Sequence, residues 1–115
     1  MSRKKSKLKT FQKKILRNYF KNLKSKIKLD GVLLFGSYAY GKPNRHSDID
    51  LVVISRSFKN LGFLERLEFL SKMREGVAEK IPMDIIGYTP EEFKNIDKES
   101  IIMKQAKKEG KMIYF

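Results

Sequence analysis

The chain has 115 residues, a formal net charge of +13, a single histidine and no cysteine. That length holds one modest core and leaves no room for a second, substrate-binding domain, so residues 1–115 read as a single domain. The missing cysteines exclude disulfides, thiolate zinc sites, iron–sulfur clusters and a cysteine nucleophile. With only His46 available, any metal would be a hard cation on carboxylates.

The charge is uneven. Residues 1–29 carry twelve lysines and arginines and no acid, whereas residues 30–115 carry 14 basic and 13 acidic side chains. Two readings stand side by side: a solvated lysine-rich surface, or a face that attracts a polyanion such as RNA. The apolar runs, such as Val32–Phe35 and Leu51–Ile54, are far shorter than the roughly 20 residues of a membrane-spanning helix. The basic start lacks the apolar stretch of a secretory signal. The expectation is a cytoplasmic protein with no membrane contact.

Residues 1–7 read as a frayed basic tail. Leu8, Phe11, Ile15, Tyr19, Leu23 and Ile27 recur at helical spacing, with Leu16 and Phe20 beside them, and predict a basic amphipathic helix over 8–28. Asp30-Gly31 marks a turn, and Val32–Phe35 a short buried strand. The polar stretch from Gly36 to Ser47 reads as a loop with one helical turn. Asp48–Ile54 is a second strand, and apolar residues from Phe63 to Val77 mark a second amphipathic helix. Ile81–Gly87 is a third strand, with Pro82 placing its start or an edge. Thr89, Pro90 and Glu92 have the arrangement of an N-cap, a first helical residue and a capping-box partner. A last helix over about 98–108 stops at Gly110, and Met112–Phe115 closes with a strand. Strands alternating with helices predict an α/β (α+β) domain with a mixed sheet of about four strands flanked by helices.

Chemistry is carried by three places. Asp48 and Asp50 flank Ile49, so a strand points both carboxylates to one side. Like charges so close raise each other's pKa unless a cation lies between them, and Mg2+ suits such a pair together with phosphate oxygens. Gly36-Ser37 follows the first strand, where backbone N–H groups and the Ser37 hydroxyl can approach a phosphate. Asp84 stands inside the otherwise apolar Ile81–Ile86 run, where it could be a metal ligand, a general base or an ordinary ion-pair partner. Gly36 to Lys42 also imitates most of a phosphate-binding P-loop, but Pro43 stands where the magnesium-binding hydroxyl belongs.

Gly36-Ser37, ten further residues and then Asp48-Ile49-Asp50 resembles the signature of the minimal nucleotidyltransferases of the DNA polymerase β-like superfamily. Gly41 and the strand bearing Asp84, followed by Tyr88–Phe93, are similar to that family's pattern as well. The resemblance covers about residues 30–115. It departs at Tyr38 and Tyr40, where many relatives carry arginine, and Lys42 or Arg45 would then substitute at the phosphates. The resemblance implies a nucleotidyltransferase-like fold and two Mg2+ ions on Asp48, Asp50 and Asp84. It also implies ATP as substrate, cradled by Gly36, Ser37, Lys42 and Arg45, and transfer of AMP to a hydroxyl. Family members of this size pair with HEPN-domain toxins and resemble enzymes that adenylylate a toxin tyrosine, which implies a HEPN-domain partner and an antitoxin role. Two alternatives stay open: nucleotide transfer to RNA, suggested by the basic N-terminal helix, and a non-catalytic module that neutralises its partner by contact.

Overall fold

The structure, a computed structural model, describes residues 6–113. Residues 1–5 of the expected tail, and Tyr114 and Phe115 of the expected last strand, lie outside the described residues. Four strands, β1 (Gly31–Phe35), β2 (Ile49–Ile54), β3 (Met83–Tyr88) and β4 (Lys111–Ile113), form one sheet in the order β3-β2-β1-β4. β1 runs antiparallel to β2 and β4, while β2 and β3 are parallel. A parallel pair needs a crossover, supplied here by the segment bearing the helix α2 (Phe63–Lys72). The mixed sheet of four strands bears out the expected fold class.

Each face of the sheet has its own core. On one face, Val32 and Leu34 of β1 and Ile49, Leu51 and Val53 of β2 meet Leu16, Tyr19, Phe20 and Leu23 of α1 (Thr10–Lys24) and Leu70 of α2. On the other, Leu33, Phe35, Val52 and Ile54 meet Ile96, which follows α3 (Pro90–Asn95), and Met103 and Ala106 of α4 (Ile101–Glu109). The centre of the sheet is buried on both sides, which explains why β1 and β2 read as continuous apolar runs rather than alternating ones.

α1 is shorter than the span 8–28 that its periodicity predicts. The Ser25 hydroxyl donates to the Asn22 carbonyl at 2.6 Å, an alternative to the helical ladder, and the chain then turns back toward β1. Its buried stripe is also rotated. Phe11, expected in the core, is 57% exposed. Gln12 is buried instead, donating from Nε2 to the Tyr38 hydroxyl at 3.3 Å and accepting at Oε1 from the Lys9 N–H at 2.8 Å. Lys7 is tied down rather than frayed: its N–H donates to the Tyr38 carbonyl at 2.8 Å and its Nζ to the Gly41 carbonyl at 2.7 Å. α2 ends at Lys72, short of the expected Val77, in a succession of turns. The capping box is as expected: the Glu92 N–H donates to Thr89 Oγ1 at 3.1 Å, and the Thr89 N–H donates to Glu92 Oε1 at 2.8 Å. No helix among the described residues is long and apolar enough to cross a membrane.

Candidate active site

The topology places the C-terminal end of β1 beside the N-terminal ends of β2 and β3. Phe35 pairs with Asp50, and Asp50 pairs with Asp84, so one row across the sheet holds two carboxylates side by side. Asp50 alternates with Ile49 and Leu51, and Asp84 with Met83 and Ile85. All four of those apolar neighbours belong to the α1/α2 face, which puts both carboxylates on the α3/α4 face. Asp48 stands just before β2, and its charge reaches Asp50. The Asp50 carboxyl is pushed up to about 6, first by burial and then by the negative charges of Asp84 and Asp48. Among the described residues the ion pairs are Arg56–Asp30, Arg66–Glu92 and Lys107–Asp97, so protein cations leave these three aspartates unneutralised.

Gly36 begins a 3-10 turn, Gly36–Tyr38, directly after β1. Its φ of +72° is a conformation that L side chains rarely adopt, and a Cβ placed there would fall on the Asp50 carboxylate. Glycine is therefore required twice over, by backbone conformation and by the close approach of Asp50. Gly41 closes the turn: its N–H donates to the Ser37 carbonyl at 3.2 Å, and a Cβ on it would stand 2.8 Å from the Ser37 Cα. Three side chains outside the signature hold the loop in place. Lys7 binds the Gly41 carbonyl, Lys111 Nζ donates to the Ala39 carbonyl at 3.0 Å, and Gln12 meets the Tyr38 hydroxyl. Tyr38 is buried by packing, and Tyr40 lies between the two cores.

The remaining sequence candidates are dispersed. Lys42 and Arg45 are exposed on the loop before Asp48, and Arg45 Nε donates to His46 Nε2 at 3.3 Å rather than to a carboxylate. A surface hollow of about 620 Å3 along α2 between Leu67 and Glu79 contains none of the signature residues. A smaller cavity of about 210 Å3 beside α2 and β3 does reach Asp84.

The donor set suits a hard divalent cation, being all carboxylate oxygen on one side of the sheet with unrelieved mutual repulsion. Among the described residues, however, no group of three or more histidine, cysteine or acidic side chains is gathered closely enough to hold a metal ion. The backbone brings Asp50 and Asp84 into one row, but the three carboxylates expected as ligands are not assembled into a metal cage.

A family model for the nucleotidyltransferase domain matches residues 14–109. The chain belongs to the nucleotidyltransferase domain family. Relatives agree on the class. One protein of Methanocaldococcus jannaschii, named "Putative protein adenylyltransferase", is 37% identical over 71 residues, covering 62% of this chain and 71% of the relative. A second of the same name and organism is 32% identical over 90 residues, covering 77% of this chain and 91% of the relative. A crystal structure titled as a putative nucleotidyltransferase from Sulfolobus solfataricus superposes with a TM-score of 0.62. It shares 22% identity, covers 88% of this chain and 78% of its own, and so bears on the fold alone. The family and enzyme class expected from the Gly-Ser and Asp-x-Asp signature are borne out: this is a nucleotidyltransferase.

Within this nucleotidyltransferase the contact between Gly36 and Asp50 gives a direct test. Gly36→Ala forces a left-handed alanine, costing about 1–2 kcal/mol, and pushes the Asp50 carboxylate aside. The expected outcome is a lower melting temperature together with loss of most transfer activity. A variant with wild-type activity would mean that the approach of Asp50 to this turn is unimportant. Arg66 and Lys111, both absent from the sequence expectations, are the residues sequence reasoning missed. A lone arginine or lysine in an ordinary charge pattern gives no sign that it will bind carbonyls distant in the chain.

Proposed function

We propose that this nucleotidyltransferase moves AMP from ATP to a hydroxyl of a partner protein, a tyrosine of a HEPN-domain toxin, and so acts as an antitoxin. The observation that carries the reading is the row formed by Asp50 and Asp84, with Gly36 pressed against Asp50. The name shared by the Methanocaldococcus relatives supports a protein acceptor.

In this reading Asp48, Asp50 and Asp84 are the residues that would hold Mg2+. When bound, the ion would supply charge neutralisation for the triphosphate and the departing pyrophosphate. The turn at Gly36-Ser37 presents backbone N–H groups and the Ser37 hydroxyl to the β- and γ-phosphates. Exposed Lys42 and Arg45 add positive charge on the loop beside it. The acceptor oxygen attacks the α-phosphorus, forming a new P–O bond, and the bond from the α-phosphorus to the bridging oxygen of the β-phosphate breaks. The hydroxyl proton passes to Asp84, and the electron pair leaves with pyrophosphate. Positioning and charge, rather than covalent catalysis, carry such a transfer.

The test uses ATP labelled at the α-phosphate, Mg2+ and lysate of the source cell. Wild type is expected to label one protein band, and Asp48→Ala and Asp50→Ala to label none. Label retained by both variants overturns the assignment of the carboxylates. Label in RNA instead of protein overturns the assignment of the acceptor.

A further inference from the structure

The charge on α1 is not accounted for by the transfer site. α1 packs on the sheet face opposite Asp50 and Asp84, so its cations do not converge on the carboxylates. Lys13, Arg17 and Lys21 follow one another at four-residue steps on its exposed side, about 6 Å apart along the axis. Lys13, Lys14, Arg17 and Lys21 enter none of the ion pairs found among the described residues, and α1 has no acid with which to pair them. Beside this ladder lies a groove of about 280 Å3 between α1 and the edge strand β4. Lys13 and Arg17 line it from the α1 side and Lys111 from the β4 side, while Leu16, Met112 and Ile113 make it apolar between them.

We propose that this α1/β4 groove and the Lys13–Arg17–Lys21 ladder form a binding surface for single-stranded nucleic acid, separate from the nucleotidyl-transfer site. Regularly spaced cations suit a phosphate backbone, and the apolar floor of the groove between them suits the faces of unstacked bases. An acidic protein segment would use the charges but has no need of their regular step. The surface lies across the sheet from Asp84, so the strand bound there is a docking ligand rather than the acceptor. The proposal does not depend on the identity of the transfer reaction.

Deleting α1 is not a usable test, because Tyr19, Phe20 and Leu23 are fully buried in the core. Charge reversal of exposed residues is. Binding of a fluorescently labelled 20-nucleotide oligouridylate is measured by anisotropy between 50 and 300 mM salt, with folding checked by thermal melting. The variant Lys13→Glu, Arg17→Glu, Lys21→Glu is expected to bind at least tenfold more weakly. The slope of log affinity against log salt should be smaller by about 2, the single-strand value for three lost contacts. A control with the same change in net charge, Lys94→Glu, Lys98→Glu, Lys104→Glu, is expected to stay within about threefold of wild type. Equal loss in both variants would reduce the effect to net charge and overturn the proposal. So would an absence of binding by wild type, or polyglutamate competing as well as oligouridylate.

Discussion

Asp50→Asn is expected to stabilise the metal-free protein above pH 6 while lowering nucleotidyl transfer at least about a hundredfold. The stability gain follows from the folded-state Asp50 carboxyl standing at about 6, against about 3.9 in an unfolded chain. The folded state therefore holds the proton more tightly. Stability contributed by the protonated form is fully present below about pH 4, falls as pH rises through the window up to about 6, and is absent above it. An asparagine keeps the shape and loses the repulsion from Asp84 and Asp48. Its melting temperature should match wild type near pH 4 and exceed it at pH 7.5 by several degrees, about 1 kcal/mol after solvent screening. Adding Mg2+ should reverse the order, raising wild type more than the variant, because a ligand stabilises only the state that binds it. A variant less stable than wild type at pH 7.5 without Mg2+ would mean that the carboxylate has a structural partner.

Arg66→Met is expected to cost about 3 kcal/mol of stability, a fall of roughly 10 °C or more in melting temperature. Arg66 is only 6% exposed and ties four segments together. Its Nε donates to the Leu61 carbonyl at 2.9 Å and its Nη2 to the Phe58 carbonyl at 2.8 Å. Its Nη1 donates to Glu92 Oε1 at 2.6 Å and to the Gly87 carbonyl at 3.3 Å. Removing the guanidinium strands these acceptors around a buried, apolar side chain. Lysine should rescue little, because one ammonium cannot match a planar fork reaching several acceptors. The same pair shapes the acid limb. Arg66 first, then the Thr89 N–H, holds the Glu92 carboxyl below its usual range. That stability is present above about pH 4.3 and is lost as pH falls through the lower folded value, so the acid limb should flatten in the variant. Chemical denaturation at pH 7 and pH 3.5 checks both points. A loss under 1 kcal/mol at pH 7 would show that water replaces the guanidinium at little cost.

Arg66 and Asp50 mark the two sides of what could be read in advance. Element identity was legible because it is local. Apolar runs and the Thr89–Glu92 capping box act over a few residues, and each strand and helix formed close to where those signals placed it; the turn expected at Asp30-Gly31 lies earlier, at residues 25–27, and Gly31 already belongs to β1. The nucleotidyltransferase signature was legible because Gly36, Asp48 and Asp50 sit on one strand end and the next strand's start, so their spacing carries their geometry. Alternation fixes the side for Asp50, which lies inside β2, whereas Asp48 stands one residue before the strand begins.

Pairings distant in the chain were decided only by the tertiary structure. Strand order set Asp84 beside Asp50, and that neighbour, together with burial, raises the Asp50 carboxyl. Gln12 rather than Phe11 belongs to the buried stripe of α1, and its amide meets the hydroxyl of Tyr38, 26 residues away. The basic helix came to lie on the sheet face opposite the carboxylates, which its composition alone could not specify. Hydrophobic periodicity says that a face will be buried but not against what, since burial is non-directional; hydrogen bonds and strand register are directional, and they settled the partners.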